Sequence, residues 1–133
     1  MKQSTLLRIT AVLGAVSVAL GAFGAHGLER LVGPEQLDTF QTGVRYQFYH
    51  TLGLGMLAAL SGRTAKARYG TIAICWILGI LLFSGSLYLL SLREVHGLPV
   101  SFLGPITPMG GLLFIVGWVM LFFVTGKLDE PER

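Results

Sequence analysis

Thr39-Phe40-Gln41-Thr42-Gly43-Val44-Arg45-Tyr46-Gln47-Phe48-Tyr49-His50-Thr51 runs straight into Leu52-Gly53-Leu54-Gly55-Met56-Leu57-Ala58-Ala59-Leu60. The second half is apolar throughout. The first half carries an arginine, two tyrosines, two glutamines and a histidine, groups almost missing from the other long apolar runs. We read the stretch as one of four membrane spans. Its polar half must then face other polar positions in one leaflet, because hydrocarbon offers a polar group no water to bond.

Composition supports a membrane setting. Of 133 residues, 53% are hydrophobic and 13% charged, and the mean hydropathy is +0.68. Soluble domains carry about 25% charge, and a soluble bundle needs a polar face on each helix, which these runs lack. The chain therefore reads as an integral membrane protein. Its formal net charge of +3 is small, and the basic residues fall in short clusters between apolar runs. They read as topology signals and not as a nucleic-acid surface. Cys75 is the only cysteine, which excludes an intrachain disulfide and a cysteine-based zinc site.

The expected fold is all-α: a single membrane domain, 1–133, with spans at about 6–25, 40–60, 70–92 and 105–125. The first run resembles a signal peptide, with Lys2 and Arg8 leading in and Ala22-Phe23-Gly24 like a cleavage site. We expect it to be retained as a span. Between it and the second, Glu29, Arg30, Glu35 and Asp38 mark interfacial structure, where Pro34 suits the start of a short helix. The third, Gly70 to Leu92, has 23 residues without a charge. Pro105 and Pro108 are tolerable only near the first turn of the fourth. Gly21, Gly55, Gly79 and Gly117 are the expected close-packing positions between spans.

Basic residues orient the chain. Seven, Lys2, Arg8, Arg63, Lys66, Arg68, Lys127 and Arg133, fall on the side of the termini, and three, Arg30, Arg45 and Arg93, on the other. The positive-inside rule then puts both termini in the cytoplasm. A weak repeat is also present. His26-Gly27-Leu28 before Gly33-Pro34 resembles His96-Gly97-Leu98 before Gly104-Pro105, as a duplicated helical hairpin or chance would leave it.

This topology puts all three histidines toward the outer side, with His50 about 7 Å deeper than Arg45. Tyr46, Gln47 and His50 share a helix face, and Ser84, Tyr88 and Ser91 form a stripe at the same level. We therefore expect one outer-leaflet polar pocket lined by His26, Arg45, Tyr46, Gln47, His50, Ser84, Tyr88 and Thr107. A plainer reading competes. Tyrosines near a span end form an aromatic belt, and Ser, Thr and His in spans often only bond neighbouring helices. No catalytic residues, metal site or cofactor are expected. The chain has no phosphate-binding glycine loop and no His-Glu-x-x-His motif, and the histidine spacing favours no metal. No carboxylate lies inside a span, which counts against proton-coupled transport.

Four motifs carry a resemblance: Gly21-Ala22-Phe23-Gly24-Ala25-His26-Gly27-Leu28, Thr42 to His50, Leu82-Phe83-Ser84-Gly85-Ser86-Leu87-Tyr88, and Leu103-Gly104-Pro105-Ile106-Thr107-Pro108-Met109-Gly110-Gly111. Over nearly its whole length the chain resembles the family of small membrane proteins that includes transmembrane protein 256 and its bacterial relatives (domain of unknown function 423). The resemblance implies a multi-pass protein of the bacterial inner membrane, and it implies no particular chemistry. Size, many small residues and the lack of a catalytic constellation point to a non-enzymatic accessory protein or subunit, surrounded by membrane lipids and packed against a larger complex or its own copies. The alternatives are a lipid- or quinone-binding protein using the outer-leaflet pocket, and a minimal transporter or channel.

Overall fold

The computed structural model describes residues 1–61 and 66–125. Among them there is no strand. Helix α1 spans Gln3–His26, α2 Pro34–Leu60, α3 Lys66–Gly79, α4 Gly85–Ser91, α5 Arg93–His96 and α6 Ile106–Thr125. A π-helical turn, Ile80–Ser84, joins α3 to α4 without a break, so 66–91 forms one rod.

Helix α2 absorbs the polar segment ahead of the quoted stretch. Gly33 is extended at φ −72° and ψ 169°, and Pro34 follows at the first helical position, where its fixed φ fits and its missing N–H is no loss. The helix has 27 residues, about 40 Å of rise, and outruns a hydrocarbon core of about 30 Å. Pro34 thus starts the long helix itself and not a separate short one. At the other connection, α5 ends on Gly97 at φ +66°, a left-handed conformation that favours glycine. Pro105 precedes α6, and Pro108 falls within its first turn, where backbone N–H groups have no intrahelical partner. The α1–α2 and α5–α6 connections each contain one turn of 3₁₀ helix, Leu28–Arg30 and Ser101–Leu103.

Three segments are long and apolar enough to cross a membrane: Gln3–Arg30, Arg68–Ser91 and Ser101–Thr125. Helix α2 matches them in length but not in apolarity, because Glu35, Asp38, Arg45, Gln47 and His50 all lie on it. Of the residues that orient the chain, Arg63, the Lys66 side chain, Lys127 and Arg133 lie outside the described residues.

The helices pair antiparallel. Helix α1 lies along α2, with Gly21 facing Val44 and Gly14 facing Thr51. The α3–α4 rod lies along α6, with Gly79 facing Phe114. Helix α2 joins the two pairs by packing on α4 and the π turn. A bond from Gln36 Nε2 to Glu94 Oε1, 3.4 Å, puts the connections at 27–33 and 92–105 at one end of the molecule. Gln3 Nε2, bonded to Ala58 O at 2.9 Å, marks the terminal end.

The core lies toward the terminal end: Leu6, Leu54, Leu57, Ala58, Tyr69, Ile72, Trp76, Leu121 and Val124 are buried together. Trp76 is its keystone. A Cβ on Gly53 would stand 2.7 Å from the Trp76 ring, and one on Gly117 would collide with the same indole. Two glycines on two helices thus form a slot for one fully buried tryptophan, whose Nε1–H donates to Phe114 O at 3.3 Å. All four glycines expected to mediate packing have a neighbouring helix's side chain within van der Waals reach of a built Cβ.

Candidate functional site

Helix α2 sorts its polar groups by phase. Gln47, His50 and Thr51 turn inward and are buried, with exposures of 3%, 4% and 1%. Arg45 and Tyr49 turn outward. The polar residues expected to form one pocket are consequently divided among separate places.

His50 sits between α2 and α6. Its ring stacks on Phe114 with centroids 3.5 Å apart and planes 9° from parallel. Nδ1 lies 2.8 Å from Tyr46 O, and Trp118 Nε1–H points to Nε2 at 3.1 Å. An indole nitrogen can only donate and a carbonyl can only accept. These partners therefore require the neutral ring with its proton on Nδ1, donating to Tyr46 O while Nε2 accepts from Trp118. Both ring nitrogens are used inside the protein.

Beside His50 an open groove of about 490 Å³ runs between α2 and α6 over the π turn. Its aromatic walls are Tyr46, Phe83, Phe114 and Trp118, and Pro108, Gly111, Leu112 and Ile115 complete it. Tyr46 and Phe83 approach to 4.8 Å between centroids. The lip is exposed, with Leu112 at 61% and Ile115 at 60%. Tyr46 is 41% exposed, and its hydroxyl has no hydrogen bond among the described residues.

Gln47 and Tyr88 form a second cluster, facing α1. Tyr88 OH donates to Gln47 Oε1 at 2.9 Å, and Gln47 Nε2 donates to Leu13 O at 3.4 Å. Gly43 makes room for the tyrosine: a Cβ there would stand 2.8 Å from Tyr88 Cε1. Thr107 belongs to a third cluster, where its hydroxyl lies 2.6 Å from Ser86 Oγ, which itself donates to Phe83 O at 2.9 Å inside the π turn. Hydroxyls that bond backbone in this way make a helical irregularity tolerable in lipid. Ser84, in the same turn, is fully buried and its hydroxyl has no partner among the described residues.

Two expected pocket residues join none of these clusters. His26 is exposed at the C-terminus of α1, where a basic group suits the helix dipole. Arg45 points away from His50 and bonds Thr42 Oγ1 at 3.0 Å and Asp38 Oδ1 at 3.3 Å. The sequence reading also missed partners: Trp118 for His50, Ser86 for Thr107, and Phe83 and Phe114 as walls. One signal for Trp118 was present, since an indole N–H inside an apolar run must find an acceptor. Among the described residues no cluster of three or more His, Cys, Asp or Glu side chains is placed to hold a metal ion.

The comparisons with known proteins agree with this membrane architecture. The family model described as "Protein of unknown function (DUF423)" matches residues 20–111. The UPF0382 membrane protein YwdK of Bacillus subtilis is 43% identical over 91% of this chain and 98% of its own length. A UPF0382 membrane protein of Haemophilus influenzae is 42% identical over 94% and 96%. The UPF0382 inner membrane protein YgdD of Escherichia coli is 38% identical over 91% and 88%. No solved structure matches the chain. With a family model covering most of its length and relatives near 40% identity along nearly all of it, the chain belongs to the DUF423/UPF0382 family of membrane proteins.

Proposed function

We propose that this chain is a non-enzymatic, four-span protein of the bacterial inner membrane, with both termini in the cytoplasm, that holds a lipid or quinone-like amphiphile in the lateral groove between α2 and α6. The observation that carries the binding reading is the groove itself: about 490 Å³, aromatic-walled, open along an apolar lip, with a Tyr46 hydroxyl that has no hydrogen-bond partner among the described residues. Such a volume falls in the range of small-molecule sites. His50 is assigned a positioning role, because Nε2 ties α2 to α6 through Trp118 while Nδ1 bonds Tyr46 O on its own helix. Reading α2 as a span rests on its length and on the burial of Gln47, His50 and Thr51, which gives its polar groups partners inside the protein.

Native mass spectrometry of protein released in mild detergent tests the proposal. The expected result is a retained small mass that is lost in Gly111→Leu. A Cβ at Gly111 would meet Phe83 at an ordinary 3.6 Å, so leucine fills the groove without forcing the backbone. A bare protein, or the same mass retained in Gly111→Leu, contradicts it.

A second reading, a subunit packed against other membrane helices, is favoured by α1. That helix packs mainly on α2, and its outward face carries the small exposed residues Ala11, Ala15, Ala19 and Ala22. Copies of the chain or another subunit in the same spectra are its signature. The channel reading gains no support: the core toward the terminal end is filled by apolar side chains, and Ser17 Oγ donates to Leu13 O of its own helix.

A further inference from the structure

Arg45, separated from the His50 groove, belongs to a different one. A groove of about 190 Å³ lies between α1 and α2, lined by Leu20, Gly21, Gly24, Phe40, Gln41, Val44 and Arg45. It exists because α1 offers glycines there. Built Cβ atoms at Gly21 and Gly24 would already touch Val44 at 3.7 Å and Phe40 at 3.3 Å. At its rim Arg45 and Asp38 form an ion pair with side-chain exposures of 52% and 76%. The pair is half made. Arg45 uses only Nη2, toward Asp38 and Thr42, and Asp38 uses only Oδ1. Arg45 Nε and Nη1 and Asp38 Oδ2 have no partner among the described residues. An exposed single-contact pair holds little energy of its own, while a guanidinium fork is well matched to a phosphate.

We propose that this groove is a binding site for a phospholipid with a zwitterionic, primary-ammonium headgroup. The phosphate accepts from the free edge of Arg45, the ammonium donates to the free oxygen of Asp38, and an acyl chain lies along Gly21 and Val44. Charge complementarity selects this headgroup. An anionic lipid would meet the Asp38 carboxylate without compensation, and a quaternary ammonium has no N–H to donate. The site shares no lining residue with the α2–α6 groove.

The test is native mass spectrometry of delipidated full-length protein titrated separately with phosphatidylethanolamine, phosphatidylcholine and phosphatidylglycerol. Wild type is expected to bind phosphatidylethanolamine about tenfold more tightly than phosphatidylcholine, the size of one charge-assisted hydrogen bond. Asp38→Asn removes that discrimination, and Arg45→Gln weakens both lipids by about tenfold. Gly85→Ala, which lines neither groove and meets nothing within 4 Å, leaves all three affinities unchanged. Equal binding of the three lipids, tighter binding of phosphatidylglycerol, or an ethanolamine preference that survives in Asp38→Asn overturns the assignment. Both rim substitutions are conservative and exposed, so the result does not hinge on folding.

Discussion

At the scale of single residues, the informative one is His50. A histidine in a membrane helix invites a functional reading, yet its two nitrogens are already committed, to Tyr46 O and to the Trp118 indole. A definite prediction follows for its protonation pattern. Nitrogen-15 spectra of histidine-labelled protein should show His50 as the neutral Nδ1–H form. Trp118→Phe frees Nε2 while Tyr46 O still holds the Nδ1 proton, so the tautomer should persist and the Nε2 resonance should shift, with a stability loss of about 0.6 kcal/mol and no more than about 1.7 kcal/mol, the span measured for side-chain hydrogen bonds between membrane helices. A spectrum unchanged in Trp118→Phe would mean that the indole does not hold the ring. The residue types of the site were legible in the sequence. Gln47, His50, Ser84, Tyr88 and Thr107 are polar groups in apolar runs, and all are withdrawn from full exposure. Their partnerships were not legible. Helical phase relates residues on one helix, but which helix sits opposite His50, and at what height, depends on packing. Arg45 shows the same limit: it is one residue from Tyr46 and faces a different groove.

At the scale of elements, glycine placement explains how the helices come close. Gly53 and Gly117 leave the slot filled by Trp76, and a Cβ on Gly110 would collide with the backbone of Phe83 in the π turn. Gly117→Ala should therefore lower thermal stability in detergent by about 1–3 kcal/mol, the range for overpacking. Gly85→Ala meets nothing within 4 Å and should stay within about 0.5 kcal/mol of wild type. Equal effects in the two variants would contradict the packing account. The four long helical segments followed from apolar runs and proline positions, with boundaries shifted by a few residues. The larger shift, α2 beginning at Pro34 and not near Phe40, arises because a helix continues through polar residues once it is well started. The π turn carried no sequence signal. Gly79 and Gly85 flank it, but the same pair would also suit an unbroken α-helix.

At the scale of the whole molecule, the two hairpins, α1 with α2 and the α3–α4 rod with α6, meet along α2. Both proposed grooves use that helix, one on each side. Both grooves therefore require α2 to cross the membrane, although its composition is the most polar of the long helices. If α2 crosses, the connections at 27–33 and 92–105 lie on one side of the membrane and both termini on the other. If only the three apolar segments cross, the two connections lie on opposite sides. The measurement that separates these is labelling of single cysteines, placed by Glu29→Cys or Glu94→Cys in a Cys75→Ser background, with a membrane-impermeant maleimide in intact cells. The account predicts that both positions label from outside, while Lys2→Cys labels only after the membrane is opened. Labelling of position 29 but not 94, or of 94 but not 29, would contradict it.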